Sequence, residues 1–382
     1  MSPSSVVVTI ICFKNGAKKL APRVLRSLGV TEDGDHRYRW HAPGVLSVHL
    51  EGAVREEALD ELRALRGITR VVTIPQARGL VRREEGRPDS TLTLPNGAVV
   101  GGKNVAVIAG PCSVESESQV CEIAAMVKEA GAVALRGGAF KPRTSPYSFG
   151  GLGERGLECL ALAREKTGLP VVTEVIDTED VHLVSRYADV LQLGSRNMQN
   201  FPLLFKAGNN PYGKPILLKR GFGATVDELM QAAEYVLLGR LAAGREGPGV
   251  ILCERGIRTF ETSTRFTLDV GAIPVLKERT HLPVIVDPSH PAGVQRYVPP
   301  LARAAVAAGA QGLMVEVHME PARSWCDKGQ ALSPGAFAEL MDDVRRLAPI
   351  GMKMGVVAGP GRRRGEAPLR GRNGAAVGLS SD

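Results

Sequence analysis

Eight short apolar runs between residues 104 and 347, mostly separated by helical patterns, constrain the fold more than any other feature of the chain. Strands that alternate with helices in this way predict a parallel sheet with helical crossovers. Eight strands in roughly 240 residues match the size of a closed (βα)8 barrel. The predicted strands are 105–109, 132–135, 171–174, 190–193, 215–218, 250–253, 284–286 and 312–316. The predicted helices are 117–130, 153–167, 178–185, 226–238, 295–308 and 334–347.

A polar side chain follows each of these predicted strands. In chain order the residues are Cys112, Arg136, Glu174, Gln192 with Arg196, Lys219, Glu254 with Arg255, Asp287 with His290, and Glu316. A doubly wound open sheet is the alternative fold, but it would not need a polar residue at every strand end. In a barrel all eight strand ends meet at one face, where active sites are built. We therefore predict an α/β fold, a (βα)8 TIM barrel.

The regions outside the barrel are predicted to be a small domain, a connecting segment and a tail. Strand and helix patterns alternate within residues 1–75, which favours a ferredoxin-like α+β domain. Residues 76–103 are predicted to be a charged linker and a hairpin around Pro95-Asn96-Gly97. The barrel is expected to occupy residues 104–348, and the Gly- and Arg-rich residues 349–382 to form a disordered basic tail.

Three stretches near the predicted strand ends carry side chains that bind metal ions. They contribute Cys112, Asp287, His290, Glu316, His318, Cys326 and Asp327. Thiolate, imidazole and carboxylate ligands together suit a borderline divalent metal. Each residue alone has an ordinary explanation, Cys112 as a buried thiol and His290 as a structural histidine. Only the combination of these residues predicts a metal site. The histidines outside these stretches that we considered, His182 and His281, are interpreted as surface residues.

Cationic side chains follow several of the same strands. They are Arg136, Lys141, Arg143, Lys219, Arg220 and Arg255, and Thr144 and Ser145 add hydroxyl groups beside the first three. A charge at the end of a buried strand is costly unless it is paired or binds an anion. Structural ion pairs and a solvated basic loop are the alternatives for single residues. The repetition across several strands favours the binding of phosphate or carboxylate groups.

The net charge of +8 raises the alternative of a nucleic-acid partner. Half of this excess falls from Ile350 onward, and aromatic residues are only 4% of the chain, so no nucleic acid is expected to bind. No apolar run is long enough to span a membrane, and we expect no membrane partner. The six cysteines show no CxxC spacing and no signal peptide precedes them, which predicts free thiols and a cytoplasmic location.

Six motifs occur in an order that resembles one family, the 3-deoxy-D-arabino-heptulosonate-7-phosphate (DAHP) synthases. The motifs are GPCSVES, LRGGAFKPRTSP, QLGSRNMQN, LLKRG, DPSHPAG and GLMVEVH. The resemblance covers about residues 71–347, and the N-terminal pattern is similar to the subtype with a ferredoxin-like regulatory domain. It implies an aldol-type condensation of phosphoenolpyruvate with erythrose 4-phosphate, with release of phosphate, as the first step of the shikimate pathway.

The resemblance also implies roles for single residues. It implies that manganese, iron, zinc or cobalt is bound by Cys112, His290, Glu316 and Asp327, which leaves His318 out. It implies a phosphoenolpyruvate pocket made of Arg136, Lys141, Glu174, Ser195, Arg196, Lys219 and Arg255. Arg143 and Thr144 would contact erythrose 4-phosphate, and Asp287 would lie near its aldehyde. Lys141 is the candidate for proton delivery to the aldehyde oxygen.

Two further functions remain as alternatives within this interpretation. One is 3-deoxy-D-manno-octulosonate-8-phosphate synthase, although the sequence KPRTSP favours the shorter sugar phosphate. The other is a non-catalytic sensor that binds phosphoenolpyruvate. The resemblance also implies a homotetramer that an aromatic amino acid, tyrosine or phenylalanine, regulates by feedback. Finally, we hypothesise that Cys326 forms a disulfide with Cys112 when the metal is absent.

Overall fold

The structure, a computed structural model, describes residues 6–14, 17–30, 37–42, 44–75, 79–86, 88–245, 247 and 249–353. Most of the predicted disordered tail, residues 354–382, lies outside the described residues. No helix within the described ranges combines the length and the apolar character needed to cross a membrane.

The N-terminal unit contains four antiparallel strands and two helices. Its strands are β1 (Val6–Phe13), β2 (Tyr38–Ala42), β3 (Val45–Glu51) and β4 (Ile68–Pro75), and its helices are α1 (Ala21–Ser27) and α2 (Glu56–Ala64). The strand order is β2-β3-β1-β4. The predicted antiparallel α+β unit is therefore confirmed. A short turn of 3-10 helix at Ala17–Leu20 precedes α1.

The predicted barrel is confirmed as a closed ring of eight parallel strands. After a two-stranded hairpin, β5 (Leu92–Thr93) and β6 (Val99–Val100), the barrel strands are β7 (Ala106–Gly110), β8 (Ala134–Arg136), β9 (Val171–Glu174), β10 (Val190–Leu193), β11 (Ile216–Lys219), β12 (Val250–Glu254), β13 (Val284–Val286) and β14 (Gly312–Glu316). Strand β14 pairs with β7 and closes the ring.

Helices cover the outside of this ring. They are α3 (Glu117–Ala130), α4 (Glu154–Thr167), α5 (Val181–Tyr187), α6 (Phe201–Gly208), α7 (Val226–Ala242), α8 (Ala272–Arg279), α9 (Ser289–Ala292), α10 (Val298–Ala307) and α11 (Pro334–Lys353). Helices α6 and α8, and the single-turn helix α9, are not among the predicted helices. Helix α6 is FPLLFKAG, almost wholly apolar, so no 3.6-residue alternation marks it, and Pro274 breaks the short pattern of α8.

Two apolar layers hold the barrel together. Side chains that point outward from the strands pack under the helices, and those that point inward form a separate core. Leu94 and Val100 of the hairpin belong to this inner core, so the hairpin covers the barrel interior at the end opposite to the strand exits. At the other end of the interior, where the strands exit, polar side chains fill the space.

Candidate active site

The pleat of the strands explains which polar residues reach the barrel mouth. Side chains two positions apart lie on the same face of a strand. Seven polar residues each follow an inner-core residue by two positions: Arg136, Glu174, Gln192, Lys219, Arg255, Asp287 and Glu316. They therefore extend the interior row beyond its last apolar layer. The site is the polar continuation of the barrel core.

Three of the predicted metal ligands form a compact group at the bottom of the mouth. One ligand atom from each of Cys112, Glu316 and Asp327 lies within 4.8 Å of the others. The Cys112 Sγ atom is 3.4 Å from Asp327 Oδ2. His290 Nε2 lies 3.5 Å from Glu316 Oε1 and 4.0 Å from Asp327 Oδ2. A thiol, an imidazole and two carboxylates at this spacing fit the donor set of a divalent transition metal.

A carboxylate behind His290 fixes the direction of its ring. Nδ1 of His290 lies 2.6 Å from Asp287 Oδ2, which leaves Nε2 facing the Cys112–Glu316–Asp327 group. Burial lowers the pKa of His290. In the neutral ring, Nε2 offers a lone pair to the group that it faces. Burial opposes ionisation of Glu316, but His290 and Arg136 nearby hold the pKa of this carboxyl below its usual value.

Lys141 connects the group to the loop 137–151 that follows β8. Its ammonium donates to the Cys112 carbonyl at 2.9 Å and lies 3.1 Å from Cys112 Sγ. A hydrogen bond between the Cys112 and Cys326 thiols, together with burial, raises the pKa of Cys112. The same bond lowers the pKa of Cys326 to about 6. Cys326 also accepts a hydrogen bond from Arg143.

The interior cations differ in how they are paired. Arg136 donates to Glu316 Oε1 at 2.5 Å, and Lys219 pairs with Asp287. Arg255 has no carboxylate partner among the ion pairs of the described residues, and its buried Nη1 atom has no hydrogen-bond partner there. Its guanidinium lies 4.8 Å from the ring centre of Phe222 and 4.3 Å from that of Phe266. Burial lowers the pKa of Arg255.

Arg220 has a structural role, in contrast to the prediction that it helps bind an anion. It lies one position beyond Lys219, so its side chain points to the outer face of the strand. There it donates to Glu254 Oε2 and Asp269 Oδ2, both at 2.8 Å. The structure therefore contains the structural ion pair that was the alternative for Arg220.

The mouth encloses a cavity of about 240 Å³. The predicted residues that line it are Arg136, Lys141, Arg143, Glu174, Ser195, Arg196, Lys219, Arg255, His290 and Asp327. Cys112, Asp287 and Glu316 lie beneath them in contact with Lys141, Lys219 and Arg136. Thr144 is exposed at the rim, where its hydroxyl accepts from Arg196 at 3.3 Å. The fold thus brings all the predicted site residues to one place.

Sequence reasoning missed seven lining residues of the cavity. Two of them, Pro142 and Gly194, are neighbours of predicted residues, and the other five are Gln192, Phe222, Arg258, Arg265 and Phe266. Gln192 was recognised at a strand end but was given no role, although it donates to Glu174 at 3.1 Å. The remaining four of these five belong to loops that follow β11 and β12. The pair of arginines in the loop sequence GIRTFETSTRF was the available signal.

Three histidines that the sequence analysis considered lie outside the group around Cys112. His318 is buried and faces Glu115, with Nε2 3.6 Å from Glu115 Oε2. His182 is exposed, as predicted. The prediction that His281 lies at the surface is wrong. Only 1% of it is exposed, because it contacts the Ser90 hydroxyl at 2.6 Å and the Leu80 carbonyl at 2.9 Å.

Comparisons with known proteins agree on one family. The model of the DAHP synthetase I family matches residues 88–349. A Thermotoga maritima protein named phospho-2-dehydro-3-deoxyheptonate aldolase is 46% identical over 304 residues, which are 79% of this chain and 87% of that protein. A Bordetella petrii protein named 2-dehydro-3-deoxyphosphooctonate aldolase is 30% identical over 269 residues, 66% of this chain and 93% of that protein.

A solved structure gives the same result over more of the chain. The crystal structure of phospho-2-dehydro-3-deoxyheptonate aldolase (DAHP synthase) from Thermotoga maritima superposes with a TM-score of 0.69 at 39% sequence identity. The match covers 91% of this chain and 98% of that one. It therefore includes the N-terminal unit as well as the barrel.

Proposed function

The chain belongs to the DAHP synthetase I family and is an enzyme of the DAHP synthase type, and we propose that its reaction depends on a divalent metal. The ligands in this proposal are Cys112, His290, Glu316 and Asp327. The proposal depends on one observation: a thiol, an imidazole and two carboxylates lie together beside a cavity that eight cations line. The cations are Arg136, Lys141, Arg143, Arg196, Lys219, Arg255, Arg258 and Arg265.

The substrates of the proposed reaction are phosphoenolpyruvate and erythrose 4-phosphate. Both carry a phosphate group, and phosphoenolpyruvate also carries a carboxylate, so the site must balance several negative charges. Arg255 is the strongest candidate to receive one of them, because its buried Nη1 atom has no protein partner among the described residues. Arg143 and Thr144 lie near the rim and are assigned to erythrose 4-phosphate.

The proposed reaction forms one carbon–carbon bond and releases one phosphate. C3 of phosphoenolpyruvate bonds to the aldehyde carbon, and the aldehyde oxygen takes a proton. Water then adds to C2, and loss of phosphate from C2 leaves the keto group of the product. When bound, a divalent metal would polarise the aldehyde as a Lewis acid or activate water. Lys141 is assigned to deliver the proton, because its ammonium reaches the cavity at the level of Cys112.

The direct test measures release of phosphate from phosphoenolpyruvate. We expect release only when erythrose 4-phosphate is present, loss of activity after a chelator, and recovery with manganese, iron, zinc or cobalt. Cys112→Ala should abolish both recovery and metal binding, and Cys159→Ala, a buried thiol outside the site, should leave both unchanged. Full activity in the chelated enzyme would refute the metal dependence.

Arabinose 5-phosphate tests the alternative aldehyde substrate. The relative named for the octulosonate reaction is 30% identical, against 46% for the relative named for the heptonate reaction. We therefore expect turnover with erythrose 4-phosphate and little with arabinose 5-phosphate. The opposite preference would assign the octulosonate reaction. Family membership favours catalysis over a non-catalytic phosphoenolpyruvate sensor.

Regulation is the least direct part of the proposal. We infer that the N-terminal unit mediates feedback inhibition by an aromatic amino acid, tyrosine or phenylalanine, in a cytoplasmic homotetramer. Support comes from the ferredoxin-like strand order β2-β3-β1-β4, which is common in modules that bind small effectors or pair with copies of themselves. Sedimentation with and without the amino acid measures the assembly, and inhibition assays identify the effector.

A further inference from the structure

We propose that Glu115 and His318 are positioning residues that hold the three ligand-bearing segments of the proposed metal site at a fixed spacing. The inference rests on the proposed function, because it assumes that Cys112, Glu316 and Asp327 bind the metal. Neither Glu115 nor His318 faces the cavity or takes part in the chemistry described above. Their contacts connect the segments on the side away from the cavity.

Glu115 reaches the loop that carries Asp327. Its Oε1 atom accepts the N–H of Trp325 at 2.7 Å and lies 3.3 Å from the Ser324 hydroxyl. That hydroxyl also lies 2.7 Å from the carbonyl oxygen of Cys326. The side chain of Glu115 is only 9% exposed, although Trp325 lies at the surface. The carboxylate therefore fixes the two residues that precede Cys326 and Asp327.

His318 makes the second contact of the same carboxylate. Its Nδ1 atom accepts the N–H of Glu320 at 3.0 Å, so in the neutral ring the hydrogen is on Nε2. This Nε2 atom is buried, and it has no hydrogen-bond partner in the described chain. Glu115 Oε2 is 3.6 Å away, slightly too far for a hydrogen bond. The Glu115 carboxylate is the acceptor that we assign to its hydrogen.

The positions of the two residues in the chain make this arrangement a clamp. Glu115 follows Cys112 by three residues, His318 follows Glu316 by two, and Trp325 precedes Asp327 by two. One carboxylate thus connects the segments of three ligands. Asp327 has a φ of +47°, which non-glycine residues rarely adopt, so its loop needs outside contacts to keep this conformation.

The test compares Co²⁺ binding by the metal-free, full-length enzyme and its variants. Glu115→Gln keeps the size of the side chain but places an amide where His318 needs an acceptor. His318→Asn removes Nε2, while its side-chain oxygen can still accept the Glu320 N–H. Glu117→Gln is the matched control. Glu117 lies two residues after Glu115 and is exposed, and within the described chain its one ion pair is with Lys166, at 3.5 Å. The readouts are the Cys112 thiolate-to-cobalt absorption band and the thermal unfolding midpoint.

We expect Glu115→Gln and His318→Asn to weaken Co²⁺ binding by about 10–100-fold, the usual effect of losing a residue that orients metal ligands. Turnover at saturating Co²⁺ should stay close to that of the parent, since the clamp does not touch substrate. The double variant should bind about as weakly as either single one, because both remove one shared contact. Glu117→Gln should bind like the parent.

Unchanged Co²⁺ affinity in both variants would overturn the clamp. If Glu115→Gln does not fold, His318→Asn decides alone, because it removes a single contact. Failure of the proposed function looks different: the parent enzyme itself would then show no absorption band that disappears in Cys112→Ala. That result would also remove the basis of the clamp.

Discussion

Phe222 is the side chain most closely surrounded by the cations of the mouth. The guanidinium groups of Arg196, Arg255 and Arg258 lie 5.3, 4.8 and 5.2 Å from the centre of its ring. Phe266 stacks on it at 5.2 Å with an interplanar angle of 6°. An aromatic face attracts a cation without competing for its N–H groups. The ring can therefore hold these arginines in place and leave their donors free for an anion.

Phe222→Leu should consequently weaken the binding of phosphoenolpyruvate more than it slows turnover. A cation–π contact in a partly desolvated site is worth about 1–2 kcal/mol, so we expect KM for phosphoenolpyruvate to rise by about 5–30-fold with a smaller change in kcat. Phe222→Tyr should restore most of the affinity. Phe260→Leu, at an exposed ring on the neighbouring loop, serves as the control. Unchanged KM in Phe222→Leu would mean that the ring has only a packing role.

Cys326 gives a prediction about oxidation. Its thiol and that of Cys112 are both free and hydrogen-bonded to each other, and its lowered pKa favours the reactive thiolate. Oxidised glutathione should therefore link them in the metal-free enzyme, as two thiols lose two electrons and two protons and two glutathiones are released. Activity measured after metal is returned should fall and recover with dithiothreitol. Cys326→Ser should resist, and Cys121→Ser, outside the site, should be inactivated like the parent. Equal inactivation of Cys326→Ser would exclude the disulfide.

At the residue scale, the sequence predicts which side chains reach the mouth but only part of how they are paired. Lys219 and Arg220 are adjacent cations after one strand, and the alternation of the strand sends them to opposite faces. Arg220 forms an ion pair with Asp269, which lies far away in the chain, so the sequence alone does not reveal this pairing. Glu115 carried no signal, because its contacts are made with Trp325 and His318, about 200 residues later.

The segment before the hairpin shows how one helix anchors a connecting element. Glu234 of α7 accepts the backbone N–H groups of Leu80 at 2.9 Å and Val81 at 2.8 Å. Gly79 lies next to this carboxylate with a φ of +60°, and a Cβ atom there would overlap Glu234 Oε1. The close approach therefore depends on the absence of a side chain at position 79.

Gly79→Ala should destabilise the chain by more than its backbone conformation alone requires. The positive φ costs alanine about 1–2 kcal/mol, and displacement of Glu234 adds about 1–3 kcal/mol because two buried N–H groups lose their acceptor. Gly86→Ala is the control, since Gly86 has a φ of +79° but no atom within 4 Å of the added Cβ. Urea denaturation measures both free energies of unfolding. Equal losses in the two variants would show that the Glu234 contact contributes nothing.

At the element scale, strands were easier to predict than short helices. Each barrel strand is a continuous apolar run with a polar residue after it, and β9, β10, β13 and β14 begin and end where the pattern predicted. Helix α6 packs on both sides, against α7 and the N-terminal unit, and Lys206 is its single charged residue. One polar residue in eight is too weak a signal for the sequence to reveal a helix.

The two structural units of the whole molecule meet through a small apolar surface. Val8, Ile10 and Cys12 of β1 pack against Phe205 and Leu241, from α6 and α7. The opposite face of the same sheet covers α1 and α2, so both faces of the N-terminal sheet are occupied. None of the predicted active-site residues precedes Cys112. The contacts of β1 with α6 and α7 give the N-terminal unit one route to the site, through the barrel helices. A neighbouring subunit would give a second.

Deletion of residues 1–74 should separate catalysis from regulation. We expect the shortened enzyme to retain kcat and KM, because all the residues assigned to metal and substrates remain, and to lose its inhibition by tyrosine or phenylalanine. Phe205→Gln and Leu241→Gln in the shortened chain would replace the apolar side chains that the deletion uncovers. Inorganic phosphate is the internal control: as a product it binds at the barrel mouth, so it should inhibit the full-length and shortened enzymes equally. Inhibition by the amino acid that persists in the shortened enzyme would place the effector site in the barrel and refute a regulatory role for the N-terminal unit.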